Sequence, residues 1–140
     1  MKHIRHFCLL AFFALMLAQS APVAAQRVTD SGYRTVAHIK SDGTIQDAGY
    51  HTIGHIKKDG TVQNASYHTI GHLKDDGTVE DASYRTVGHI KSDGTIQDAS
   101  YHTVGHVKKD GTVQDASYHT IGHAPDIPLA WTAFYFFFRE

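Results

Sequence analysis

Tyr50-His51-Thr52-Ile53-Gly54-His55-Ile56-Lys57-Lys58-Asp59-Gly60-Thr61-Val62-Gln63-Asn64-Ala65-Ser66 is one copy of a 17-residue unit that restarts at Tyr33, Tyr50, Tyr67, Tyr84, Tyr101 and Tyr118. A unit this short cannot bury an apolar face alone, so each copy must pack on its neighbours and the period sets the architecture. Tyr50 to Lys57 is rich in β-branched and aromatic residues and Val62 opens a second extended run, the composition of two short strands. Between them, Lys57-Lys58-Asp59-Gly60-Thr61 suits a type I turn closed by a glycine in the left-handed region, a hairpin loop with a bulge. That loop sets Ile56 opposite Val62, His55 opposite Gln63 and Gly54 opposite Asn64, and the facing aliphatics favour this register. The Asp-Gly pair recurs at Asp42, Asp59, Asp76, Asp93 and Asp110, which makes Gly43, Gly60, Gly77, Gly94 and Gly111 structural turn residues.

A helix is disfavoured because glycine and β-branched residues occur in every period. Ile53 and Ile56 are three apart and cannot share one face of a regular strand, so a bulge or bend at Gly54 is expected to bring both inward. At the two ends of the array stand half units. Val28-Thr29-Asp30-Ser31-Gly32 matches a second strand without its first, and Tyr118 to His123 a first strand without its second. Complementary halves make one composite unit, so the sequence predicts an all-β closed ring or shallow barrel of six sectors that leaves no exposed edge. A β-solenoid with 17-residue rungs is the alternative. A longer period also runs through the chain: Arg34 and Arg85 replace the histidine found at His51, His68, His102 and His119, which marks a duplicated block of three units. Copies this alike indicate recent amplification, so repetition alone does not make each residue functional.

The recurring Ile-Gly-His-Ile-x-x-Asp-Gly-Thr-Val-x-Asp, as in Ile53 to Asn64 and Val87 to Asp98, resembles the repeats of the beta-flower family. The resemblance covers Val28 to His123 and implies a shallow ring of radiating hairpins around an apolar centre, with no established enzymatic activity to transfer. Two departures stand out: histidine replaces the family's aromatic residue after the glycine, and the familiar family member has four petals where this chain has six sectors.

Residues 1–25 read as a secretory signal peptide: Lys2 and Arg5 supply the positive start, Leu9 to Leu17 the short apolar run and Val23-Ala24-Ala25 the cleavage site. The mature chain then begins near Gln26, its repeat domain occupies 26–123, and a hydrophobic aromatic tail occupies 124–140. The only cysteine, Cys8, falls in the signal segment, so the mature chain has no disulfide, thiolate nucleophile or cysteine-ligated metal. Removing Lys2 and Arg5 from the 13 basic residues leaves 11 against 14 acidic ones, and this spread of charge offers no phosphate-binding footprint. Nucleic acid is therefore not an expected partner. The tail, Leu129 to Phe138, is too short to span a bilayer as a helix. It can plug the ring, lodge in a membrane interface, or be a degenerate end of the array, and a plug is favoured because an exposed aromatic run is sticky.

Histidine is the outlier of the composition, with ten in the mature chain. His38, His55, His72, His89, His106 and His123 hold one position of the unit, and a closed ring sets them on one circle. No cofactor is expected; a narrow circle, however, would let neighbouring imidazoles bridge zinc, nickel or copper. Tyr33, Tyr50, Tyr67, Tyr84, Tyr101 and Tyr118, with polar neighbours, are candidate ligand-binding platforms for a sugar-binding ring. The Asp-Gly aspartates lack the alternating ligands of a calcium loop, and the second set, Asp30, Asp47, Asp81, Asp98 and Asp115, suits capping of the return turn. Identical carboxylates in every copy give no differentiated acid and nucleophile, so no catalytic residue is expected. Asn64-Ala65-Ser66 fits a glycosylation sequon by accident of replacing that aspartate. The expectation is an exported, periplasmic, envelope or secreted protein, monomeric and non-enzymatic, with a structural or binding role. Its candidate partners are an envelope protein, a glycan, or a membrane surface met by the aromatic tail.

Overall fold

The computed structural model describes residues 25–139. Residues 1–24 of the expected signal peptide, Cys8 among them, and Glu140 lie outside the described residues. Twelve strands run in chain order: β1 Gln26–Asp30, β2 Thr35–Ile39, β3 Thr44–Asp47, β4 Thr52–Ile56, β5 Thr61–Asn64, β6 Thr69–Leu73, β7 Thr78–Asp81, β8 Thr86–Ile90, β9 Thr95–Asp98, β10 Thr103–Val107, β11 Thr112–Asp115 and β12 Thr120–His123. Each pairs antiparallel with its sequence neighbours, and β1 also pairs with β12, so the sheet closes as a barrel. The ring reading holds and the solenoid is excluded. Thr29 faces His123 and Asp30 faces Gly122, so the two terminal half units form the sixth sector.

Inside each petal the register is the one the turn dictates: Gly54 opposite Asn64, His55 opposite Gln63, Ile56 opposite Val62. Gly60 donates its N–H to Lys57 O at 3.0 Å, and its φ of 91° is what the closing position of the loop requires. A Cβ there would lie 2.0 Å from Leu73 O. The glycine carbonyl in turn accepts the Leu73 N–H at 2.8 Å, which fastens each Asp-Gly turn to the next petal. Between petals, Ile45 faces Gly54 but Gln46 faces Thr52, leaving Ile53 as the bulged residue. The bulge thus sits one residue before the glycine. It turns Ile53 and its equivalents onto the core, where they are half-buried, while Ile56 and Val62 are fully buried.

Eight strands make a barrel that wall side chains alone can fill, and wider ones leave a lumen. Here the C-terminal tail fills it. A short helix, α1 Leu129–Ala133, runs on as a π-helical segment, Phe134–Phe138. These ten residues rise about 15 Å, close to the height of a five-residue strand. Ala133, Phe134 and Tyr135 join the wall residues in one core. The wall makes room for the rings with glycine: a Cβ on Gly88, Gly105 or Gly122 would lie 2.3–2.6 Å from Phe138, Phe137 or Phe136 respectively. The tail is a plug, and the Arg139 guanidinium lies over one of its rings, 4.5 Å from the centre of Tyr135.

Candidate functional site

Alternation along each first strand decides which side chains leave the core. Gly54 and Ile56 are buried and face the lumen, so His55 between them points to the outer face. It stands between Gln63 of its own petal and Thr44 of the preceding one. Over it lies Tyr67, which begins the next unit: the two rings are parallel within 10° with centres 4.4 Å apart. The arrangement repeats as His38 with Tyr50, His72 with Tyr84, His89 with Tyr101, and His106 with Tyr118, at 4.1–4.3 Å. The sixth stack, Tyr33 on His123 at 4.1 Å, joins the first unit to the last and so depends on ring closure.

The backbone that aims the tyrosines is unusual. Asp47 N–H donates to His51 O, and Tyr50 N–H donates to Asp47 O at 3.0 Å, the same loop as the Asp-Gly turn but with tyrosine in the glycine position. All six tyrosines accordingly have φ between 65° and 69°, a conformation that costs a residue with a Cβ about 1–2 kcal/mol. Stacking of two aromatic rings returns about 0.5–1.5 kcal/mol beyond the area it buries, so the histidine beneath largely offsets the strain. One face of each tyrosine is thereby occupied, yet the residues remain 64–71% exposed.

Aspartate builds the loop from below. Asp47 Oδ1 accepts the N–H groups of Gly49 and His51, both at 2.9 Å, and Asn64 makes the same pair of contacts with Ser66 and His68. The backbone N–H of His51, then the His51 side chain and charge, hold Asp47 below the usual carboxylate range against a smaller opposing effect of burial. Its Oδ2 faces His51 Nδ1 at 3.3 Å, as Asp98 faces His102 and Asp115 faces His119. Arg34 and Arg85 take that place on Asp30 and Asp81 at 3.0 and 3.1 Å. Such exposed pairs contribute little to stability. They do fix a polar rim beside every tyrosine but Tyr67, where Asn64 stands in place of the aspartate.

Of the residues singled out in the sequence, the five turn glycines occupy their turns and the six tyrosines form one girdle. The six histidines lie on the same girdle, each against a tyrosine rather than against another histidine. His38 is the most enclosed, with Arg27 opposite it where threonine stands opposite the others. In His55, His72, His89 and His106, Nε2 is buried without a hydrogen-bond partner. Among the described residues no three His, Cys, Asp or Glu side chains are grouped to hold a metal ion. Sequence reasoning missed the stacking itself. Its signal was present in the constant spacing of twelve residues from histidine to covering tyrosine in the five stacks that do not cross the ring closure.

A closed ring of hairpins, filled by its own tail and carrying the same aromatic pair on every petal, is a small β-repeat protein. A family model described as 5-fold beta-flower protein matches residues 23–140, and the chain belongs to that family. No curated protein and no solved structure matches it. Five of its petals are continuous hairpins and the sixth is assembled from the two ends of the repeat array.

Proposed function

We propose that this chain is an exported, non-enzymatic beta-flower protein with a binding role, and that its working surface is the girdle of six tyrosine–histidine stacks. The observation that carries this reading is that six tyrosines are held in a left-handed backbone conformation with rings largely in solvent. Glycine closes the same loop at the other end of the five continuous petals without strain. Tyrosine at that position adds a flat ring, aimed outward by the histidine beneath it, and six copies make a multivalent surface. A non-enzymatic role is favoured by the return-turn aspartates, each of which has Oδ1 engaged by two backbone N–H groups of its own turn. Export is favoured by the basic start, apolar run and small-residue site of residues 1–25.

Two measurements test the proposal. Fractionation of a bacterial host expressing the full chain, with N-terminal sequencing, should find a mature protein beginning at Gln26 outside the cytoplasm; an unprocessed cytoplasmic chain overturns export. Sedimentation of the exported protein with isolated cell envelopes should fall when Tyr50, Tyr84 and Tyr118 are replaced by glycine with circular dichroism unchanged. Equal sedimentation overturns the girdle as the working surface.

A further inference from the structure

We infer that the girdle binds a glycan chain, each tyrosine serving as a stacking platform for one sugar ring; this rests on the girdle being the working surface. The petal carrying Tyr101 shows the geometry. One face of Tyr101 is covered by His89, with ring centres 4.1 Å apart and planes within 10°, yet the residue is 66% exposed. What is open is the opposite face and the hydroxyl edge. A flat, rigid aromatic face suits the apolar C–H face of a pyranose, and a polar rim suits its hydroxyls. The rim is present: Asp98 Oδ2 and His102 Nδ1 lie 3.4 Å apart, with side chains 42% and 79% exposed. The carboxylate oxygen is an acceptor and the imidazole a donor or acceptor, so both can reach sugar hydroxyls from beside the platform.

Repetition points to a chain rather than a free monosaccharide. Neighbouring platforms are separated by two strands, at least about 10 Å around the wall, a span that needs two or more linked sugar rings to cover. A polysaccharide passing around the girdle can thus engage successive tyrosines, and linked weak sites gain about 100-fold or more over one.

Affinity electrophoresis of the exported protein decides the matter, with gels containing β-1,3-glucan, β-1,4-xylan, α-mannan or dextran beside a gel with none. Retardation by at least one polysaccharide is expected, with the matching disaccharide competing only at roughly 100-fold higher sugar concentration. Replacing Tyr50, Tyr84 and Tyr118 by glycine should abolish retardation, whereas phenylalanine at the same positions, which keeps the stacking face, should preserve it. Glycine fits the φ of 66–69° at these positions, and the single change Tyr101→Gly, with a partial loss, serves if the triple variant unfolds. No retardation in any gel, or retardation that survives the glycine changes in folded protein, overturns the inference. Tyrosine-dependent envelope sedimentation without retardation in any gel overturns the glycan alone and leaves the girdle as the binding surface for another partner.

Discussion

Replacing Gly105 by alanine tests whether the aromatic tail fills the ring as described. A Cβ at Gly105 would lie 2.3 and 2.4 Å from Cζ and Cε1 of Phe137, and 2.7 Å from the Gln114 carbonyl oxygen. At Gly54, the equivalent position three units earlier in the chain, the same atom meets only the Gln63 oxygen at 2.9 Å and Ile45 Cδ1 at 3.8 Å. Both glycines have ordinary backbone angles, so alanine also gains about 0.4–1 kcal/mol by restricting the unfolded chain. At Gly54 that gain offsets the small carbonyl shift, and the first petal shows the wall accepts a methyl, since buried Ala37 occupies the corresponding site. At Gly105 the ring must move as well, and overpacking of this kind costs about 1–3 kcal/mol. Gly105→Ala should therefore be less stable than Gly54→Ala by about 1–2 kcal/mol. Urea unfolding followed by circular dichroism and by the fluorescence of Trp131, which sits in the tail itself, measures the difference. Phe137→Ala in the Gly105→Ala background should recover part of the loss, and the double-mutant cycle isolates that coupling. Equal costs at the two glycines, or a cycle with no coupling, would refute a plug seated against this wall.

Three other outcomes are expected. Tyr67→Gly should be more stable than Tyr67→Ala by about 1 kcal/mol, since both lose the stack but only glycine relieves the left-handed backbone; thermal melts with alanine ahead of glycine would contradict this. Aspartates such as Asp47, Asp59 and Asp98 have folded pKa values lowered chiefly by backbone N–H groups. Their stabilisation is thus present above the unfolded value near 3.9 and is lost as pH falls through the folded values; because Asn64 does the same work uncharged, changing Asp47, Asp81, Asp98 and Asp115 to asparagine should flatten the fall in melting temperature below about pH 4. Removing residues 26–30 unpairs β2 and β12 together, and size-exclusion chromatography should show oligomers or aggregate from the two new edges; a well-behaved monomer would mean that β1 does not close the ring.

What could be read from the residues follows from how local each cause is. The Asp-Gly loop fixes its own length, so the pairing of Ile56 with Val62 needs only residues already adjacent in the chain. Ring closure is a long-range fact, yet it was written in the chain because Val28-Thr29-Asp30 and Tyr118 to His123 are complementary fragments of one unit. The bulge was legible as a need, two aliphatics three apart on one strand, but its position at Ile53 depends on the neighbouring petal, and the glycine beside it answers a different demand. Rings from a segment outside the repeat use the space left without a Cβ at Gly88, Gly105 and Gly122, and nothing in a run of phenylalanines says which wall residues it will meet.

The girdle was hidden for a further reason. Propensity assigns a left-handed loop position to glycine or asparagine, so a tyrosine there reads as the start of a strand. Only when its ring is found on the histidine of the preceding unit does the strained angle acquire a cause, and the two oddities of the composition, repeated histidine and repeated tyrosine, become one structure. That pairing alters what each residue can do. The histidine is taken up as the support of a platform, and the tyrosine is left with a single free face directed outward on every petal. Ring closure makes the sixth pair equivalent to the other five by seating Tyr33 on His123. The fold thereby turns a linear repeat into a continuous circle of outward-facing aromatic surfaces, which a ligand with a repeat of its own can engage at several points at once.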